Sequence, residues 1–227
     1  MKISVIIPAY NEQDSIDKVI ADIPNIVGEV IVVNNNSTDN TAVVATKAGA
    51  TVLFEANAGY GFACLKGLEY LSQQNTKPDI VVFLDGDYSD YPEELTKLVA
   101  PIVERNVDFV IGARKKELRQ AGSMTPQQIF GNWLATSLMR WLYNSKFTDL
   151  GPFRAIKYQK LRDLNMTDQT YGWTVEMQLK ALKQNLTYEE VPLRYKKRIG
   201  ISKVSGTVKG TVMAGVKIIG WIVKHNY

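Results

Sequence analysis

Residues Val81-Val82-Phe83-Leu84-Asp85-Gly86-Asp87 set an unbroken apolar run against two carboxylates one residue apart. Lys77-Pro78 bounds the run before and Tyr88-Ser89-Asp90 after, which predicts a central strand covered on both faces and ending at a ligand crevice. In an extended chain residues i and i+2 share a side, so Asp85 and Asp87 can turn toward one point, while Gly86 lets another group approach the backbone. Two carboxylates so placed repel each other unless a cation lies between them. Mg²⁺ or Mn²⁺ takes one or two protein carboxylates and draws its remaining ligands from water and substrate phosphates. Taken alone, the triplet fits a solvated strand end or the cap of the following helix equally well.

Working outward, strand-like and helix-like patterns alternate on both sides of this run. Strands are predicted over Ile3 to Pro8, Glu29 to Asn34, Thr51 to Glu55, Ile80 to Asp85 and Val107 to Arg114. Helices are predicted over Asp14 to Ile23, Thr38 to Ala48, Tyr60 to Ser72 and Pro92 to Arg105, the last with proline in its first turn. Such alternation argues for an α/β protein with a mostly parallel sheet and helices on both faces. After residue 115 the alternation breaks. Lys115 to Pro126 is polar and reads as a mobile loop, followed by an aromatic helix through Trp133 and Trp141. Short strands near Gly151 to Ile156 and Tyr188 to Leu193 flank a helix from about Trp173. We expect a single domain over residues 1–200 and an appended basic amphipathic helix over 201–227.

The chain has 227 residues, 45% of them hydrophobic and 22% charged, enough for one sizeable α/β domain and incompatible with disorder as the main state. Its one cysteine, Cys64, falls in a predicted helix, which excludes a disulfide framework and a cysteine-rich metal site and suggests a core position. The chain enters a strand pattern at once, with no signal-peptide pattern, and no apolar run is long enough to span a bilayer. A cytoplasmic protein is expected, at most peripheral on the cytoplasmic face of the membrane. Net charge is +4 and unevenly spread: Glu190 is the last acidic residue, and eight Lys and Arg residues follow it. This basic end suits a polyanionic partner.

Three further strand exits carry small or polar residues. Pro8-Ala9-Tyr10-Asn11-Glu12 ends the first strand and opens a helix, where backbone N–H groups can hold a nucleotide or a side chain can simply cap. Asn34-Asn35-Asn36-Ser37-Thr38-Asp39 offers hydrogen-bonding groups for a base or ribose, and equally a turn with an N-cap. Asn57-Ala58-Gly59-Tyr60-Gly61 is a glycine-rich entry to a helix, suited to close approach of a ribose or diphosphate. It has neither the Rossmann dinucleotide spacing nor that of a Walker A loop, which disfavours a dehydrogenase or an ATPase.

The ordered set SVIIPAYNE, EVIVVNNNSTDNT, NAGYGFA, VVFLDGDYSDYPEEL and VIGAR resembles the family-2 glycosyltransferases of GT-A fold, over about residues 1–115. DLGPFRAI, YGWTVEMQLKA and VPLRYKKRIGISK resemble the polyprenyl-phosphate branch, the dolichyl-phosphate mannose and glucose synthase-like proteins. The resemblance implies a metal-dependent, inverting transfer of a hexose from a nucleotide diphosphate sugar to a membrane polyprenyl phosphate or other lipid acceptor. Pro8, Ala9, Tyr10, Glu12, Asn57, Gly59 and Gly86 would line the donor pocket, Asn35 would face the base, and Asp85 and Asp87 would hold nucleotide and metal. Arg114, Arg154, Arg198, Ser202 and Lys203 would meet anionic oxygens of donor or acceptor. Many family members carry Asp where this chain has Asn34 and Asn35, so the choice between uridine and guanosine stays open.

A hydroxyl acceptor needs a general base, and Glu176 and Asp149 are the candidates; a lipid phosphate is already an anion and needs only positioning. Glu176 reads equally as a surface helix residue or as a partner for a nearby Arg. From Val204 onward Val208, Val212, Val216, Ile219 and Val223 share one helical face while lysines cluster on another, a pattern that suits a membrane surface or packing on the sheet. Trp133, Trp141 and Trp221 fit interfacial anchors or core. A sugar nucleotidyltransferase would want a glycine- and lysine-rich triphosphate loop that the N-terminus lacks, and a nonenzymatic binding protein leaves the Asp85/Asp87 pair unused. Nucleic acid is not an expected partner.

Overall fold

The computed structural model of the chain describes residues 1–200 and 208–224. The strands are β1 (Ile3–Ala9), β2 (Glu29–Asn34), β3 (Thr51–Phe54), β4 (Ile80–Phe83), β5 (Phe109–Ala113), β6 (Arg154–Lys157) and β7 (Tyr188–Pro192). The helices are α1 (Ile16–Ala21), α2 (Thr41–Lys47), α3 (Tyr60–Gln73), α4 (Leu95–Arg105), α5 (Pro126–Tyr143), α6 (Tyr158–Asp163), α7 (Trp173–Lys183) and α8 (Val208–Lys224). The strands form one sheet in the order β3-β2-β1-β4-β6-β5-β7. Every neighbouring pair is parallel except those of β6, which runs antiparallel between β4 and β5.

Alternation along the strands sorts side chains into two cores, as a pleat requires. Ile6, Ile31, Val33, Val81 and Phe83 face one, with α3, α5, α6 and α7; Val5, Ile7, Val32, Val82 and Leu84 face the other, with α1, α2 and α4. Near-continuous apolar strands are what a doubly covered sheet demands. Cys64 is fully buried in the first core. The expected mostly parallel sheet with helices on both faces is the fold observed.

The first two predicted helices overrun α1 and α2 by one to three residues at their ends, and the β4 ladder stops at Phe83, with Leu84 N–H donating once more to Ile6 O at 3.2 Å. Asp85 therefore leaves the sheet. Lys115 to Pro126, read from sequence as a free polar loop, is instead stitched down. It carries a 3₁₀ turn at Lys116–Leu118, a bridge from Arg119 to Tyr195, and mutual bonds between Gln120 and residues 195 and 197. A capping box of Thr125 and Gln128 then starts α5.

The expected appended tail helix, α8, lies against α5 and α7, burying Ile222, with Tyr143 Oη donating to Ile222 O at 2.7 Å. Among the described residues no helix is long and apolar enough to cross a membrane. Trp133 and Trp141, for which core was one reading, stand 59% and 80% exposed on α5.

Candidate active site

Strand order reverses at β1, whose neighbours β2 and β4 lead away on opposite sides, and at such a point the exits of parallel strands diverge to leave a crevice. A cavity of about 330 Å³ opens there. It is lined by Pro8, Ala9, Tyr10 and Glu12 from the β1 exit, Asn35 from β2, Ala58, Gly59 and Tyr60 at the start of α3, and Asp85, Gly86 and Asp87 beyond β4. Thr170, Tyr171 and Arg198 complete it. Four separately predicted exits thus converge on one space.

The β1 and β2 exits are clamped to each other. Asn11 takes a left-handed conformation, φ 55°, and the N–H groups of Asn11, Glu12 and Gln13 donate to Ser37 Oγ, Thr41 Oγ1 and Asp39 Oδ2. These N–H groups, expected from sequence as free for a nucleotide, are used up by the NNNSTDNT turn. Asn35, expected to face a base, also turns inward. Its Nδ2 donates to Asn57 O at 2.6 Å and Glu55 O at 3.2 Å, and its Oδ1 accepts from Gly59 N–H at 2.8 Å. One carbonyl lone pair is left for a ligand. Asn57 does not line the cavity; its N–H and Nδ2 bind the Glu55 carboxylate.

The glycine-rich entry to α3 serves the chain itself. A Cβ on Gly61 would lie 2.1 Å from Asp168 O, and Phe62 N–H donates to Gln169 O at 2.9 Å, so the glycines seat the 168–170 backbone. Ser15 Oγ, hydrogen-bonded to Gly86 O at 2.8 Å, ties the β1 and β4 exits together.

The cation edge is built from Asp85, Asp87, Glu12 and Arg198. Asp87 Oδ1 accepts from Ser89 N–H at 2.9 Å and Ser89 Oγ at 2.5 Å, which fixes its carboxylate. Its Oδ2 lies 3.1 Å from Arg198 Nη1, and Arg198 Nη2 lies 3.2 Å from Glu12 Oε1. Asp85 Oδ1 is shut off from solvent and unpaired. Burial, and then the neighbouring Asp87 charge, push the Asp85 carboxyl up to about 6. An orphaned carboxylate oxygen, with a guanidinium already bridging the adjacent acids, fits the donor set of a hard divalent cation. Among the described residues no group of three or more acidic, His or Cys side chains could hold a metal by itself, so further ligands would come from water or phosphate. The segment carrying Arg198 is fastened here by its backbone: Lys196 N–H donates to Ser89 O at 2.8 Å and Ile199 N–H to Asp87 O at 2.9 Å.

Other predicted residues lie elsewhere. Arg154 is fully buried, donating to the carbonyls of Leu150, Gly151 and Thr174, and burial lowers its pKa to about 10. It clasps the turn before β6 and does not line the cavity. Arg114 binds Asp149 bidentately at 2.7 and 2.9 Å and stacks over Tyr195. Burial alone would raise the Asp149 carboxyl, but the Arg114 charge and hydrogen bonds outweigh it and hold the carboxyl below its usual value. Glu176, wholly buried, accepts from Thr167 N–H and Oγ1 and Asp168 N–H and pairs with Lys180 at 2.7 Å. Both candidate bases are thereby committed to structure. Ser202 and Lys203 lie outside the described residues.

The cavity residues missed from sequence are Ala58, Tyr60, Thr170 and Tyr171. Ala58 and Tyr60 sit beside the glycines already singled out, and Tyr171 stands in the YGWT stretch, the one signal that pointed there. Asp90 was also missed: it is buried with Oδ2 unpaired, and burial together with Asp85 and Asp87 raises its carboxyl well above the usual range.

Comparison with known proteins bears directly on this arrangement. The family model described as "Glycosyl transferase family 2" matches residues 4–164. An uncharacterised glycosyltransferase of Mycobacterium tuberculosis is 34% identical over 221 residues, covering 93% of this chain and 94% of that protein. The undecaprenyl-phosphate mannosyltransferase of Micrococcus luteus is 27% identical, covering 95% of this chain and 93% of that one. Among solved structures, glucosyl-3-phosphoglycerate synthase from M. tuberculosis in complex with Mn²⁺, UDP and glucosyl-3-phosphoglycerate superposes with a TM-score of 0.78 at 22% identity. That match covers 99% of this chain and 79% of the synthase.

Proposed function

The chain belongs to glycosyl transferase family 2, and from that premise we propose that it moves a hexose, with inversion, from a UDP- or GDP-linked sugar to a membrane polyprenyl phosphate. The observation that carries the acceptor half of this reading is Arg198, which brings a guanidinium from the basic C-terminal end to within 3.1 Å of Asp87. A fork of this kind suits a phosphate oxygen.

In this reading the donor occupies the cavity, with its diphosphate toward Asp85 and Asp87 and its base toward Asn35. Asp85 and Asp87 would hold Mg²⁺ or Mn²⁺, which when bound would supply positive charge beside the nucleotide diphosphate. Glu12 and Asp87 hold Arg198 at the same edge, and Arg198 turns to the incoming phosphate anion, which attacks the anomeric carbon as the bond to the diphosphate breaks. No proton has to be removed from such a nucleophile. That agrees with Glu176 and Asp149 both being bound up in buried pairs, and it disfavours a hydroxyl acceptor activated by either.

Membrane contact is supported by α5 and α8, which pack on each other. Phe130, Trp133 and Trp141 share the solvent side of α5, and Met213, Val216 and Val223 are exposed on α8 beside Lys217 and Lys224. Apolar and aromatic side chains flanked by lysines fit an anionic headgroup layer. The 27% identical undecaprenyl-phosphate mannosyltransferase is consistent with a lipid acceptor.

The test is a panel of UDP- and GDP-sugars with Mg²⁺ or Mn²⁺, with and without polyprenyl phosphate, run on the wild type and Asp87→Ala. Metal-dependent transfer to the lipid phosphate, lost in Asp87→Ala, is expected. Binding of neither nucleotide class sinks the donor reading; transfer only to hydroxyl acceptors sinks the acceptor half.

A further inference from the structure

Asp168 is almost wholly buried, and its two oxygens serve different parts of the molecule. Oδ1 accepts from Thr170 N–H at 2.8 Å and Gly172 N–H at 3.0 Å, closing a tight turn over 168–172. Oδ2 accepts from Trp221 Nε1–H at 2.7 Å and pairs with Lys217 Nζ at 3.0 Å, both from α8. The turn is fitted to the helix: a Cβ on Gly172 would fall 2.4 Å from Trp221 Nε1. On its other side the same turn presses on Gly59 and Gly61 at the head of α3, and its Thr170 and Tyr171 form one wall of the cavity. No described residue of α8 lines the cavity. The polar link from the helix to the cavity wall runs through Asp168.

We propose that Asp168 is a positioning residue through which the C-terminal helix sets the affinity of the cavity for its nucleotide. This rests on the donor reading above. A buried carboxylate needs its hydrogen-bond donors, and one that loses half of them either takes up water or shifts the chain that carries it. The chain that carries Asp168 is the cavity wall. With Trp221 and Lys217 seated, Thr170 and Tyr171 are held against α3 and the wall is preformed. With them withdrawn, the turn opens and bound nucleotide has to bear the cost of ordering it.

Asp168→Asn separates this role from simple folding. The amide oxygen still accepts from Thr170 and Gly172, whereas the new NH₂ faces the indole N–H and the ammonium, donor against donor. Trp221→Phe removes the helix-side hydrogen bond and keeps most of the packing. Each variant is expected to weaken Mn²⁺-dependent UDP or GDP binding about ten-fold, the loss of one hydrogen bond to a charged group. The double variant should be no weaker than Asp168→Asn, because both changes cut one link. Amide hydrogen exchange at Thr170 and Gly172 should quicken in Trp221→Phe, and turnover at saturating donor should stay near wild type, placing the effect in donor KM.

Calorimetric titration of the full chain with UDP and with GDP, alongside the exchange measurement, decides the matter. Wild-type affinity in folded Asp168→Asn or Trp221→Phe overturns the proposal, as does strict additivity in the double variant. If the wild type binds neither nucleotide, the donor reading fails first. Exchange then judges the link alone, and unchanged protection at Thr170 and Gly172 in Trp221→Phe overturns that too.

Discussion

Arg198 Nη1 stands 3.1 Å from Asp87 Oδ2, so a side chain from the basic end of the protein neutralises the acid at the end of the central strand. Its other nitrogen reaches Glu12. Arg198→Ala leaves these acids facing each other with no cation between them. Mn²⁺ binding without nucleotide should tighten several-fold, read by calorimetry, while the KM for the phosphate acceptor rises about ten-fold, as when one charged contact to an anion is lost. An unchanged acceptor KM would remove Arg198 from the acceptor site.

Glu176→Gln and Asp149→Asn are expected to act on stability. Each breaks a buried hydrogen-bonded ion pair, at a cost of about 1–3 kcal/mol or somewhat more, and lowers Tm by several degrees. Turnover of folded protein with a phosphate acceptor should keep its wild-type pH profile. Unaltered Tm with abolished turnover would restore a base role to either residue.

The Asp149–Arg114 pair also predicts an acid limb. The folded-state pKa of Asp149 lies below its unfolded value of 3.8, so the pair's contribution is fully present above that value and is lost as pH falls through the folded pKa. Stability from this source should be flat between about pH 5 and 8. Below about pH 4 wild type should lose Tm more steeply than Asp149→Asn, a difference that thermal melts across the range would reveal.

Two glycines make opposite predictions. Gly61→Ala drives a methyl group into the backbone carbonyl of Asp168 and should destabilise by about 2 kcal/mol or more with weaker nucleotide binding. A Cβ on Gly131, in α5, would meet nothing within 4 Å, so Gly131→Ala should stabilise by up to about 1 kcal/mol through helix propensity. Chemical denaturation of both variants checks the pair.

Trp133→Ala and Trp141→Ala should weaken co-sedimentation with vesicles containing anionic lipid and polyprenyl phosphate while leaving binding of soluble nucleotide as in wild type. Wild-type vesicle binding in the double variant would take α5 off the membrane.

The sheet and the placing of Asp85 and Asp87 at one strand exit could be read directly from sequence because both depend on short-range rules. The apolar run before Asp85 fixes a buried strand, and the two carboxylates follow at its exit, on the turn beyond Phe83. The residues misread are those whose roles are fixed by burial and by how the chain folds around them, even where the partners are only a few positions away. Arg154 has the chemistry of a phosphate binder, but β6 turns it into the core among carbonyls. Glu176, for which a structural role was already one of the readings, is consumed by Thr167, Asp168 and Lys180. The glycines at 59 and 61 resemble a phosphate loop, yet the group that approaches them is the 168–170 backbone. Nothing local in the sequence couples Asp168 to Trp221; only the packing of α8 on α7 does so.

The backbone bonds from Lys196 and Ile199 to Ser89 and Asp87 give the site a birth date. While the protein is being made, the strands carrying Asp85 and Asp87 emerge from the ribosome well before the segment that covers them. Until Ile199 is free, those acids have no Arg198 between them. An interrupted chain therefore keeps the aspartates but lacks the guanidinium held against Asp87 and Glu12, and this edge of the cavity is completed only once residues 196–199 have been made.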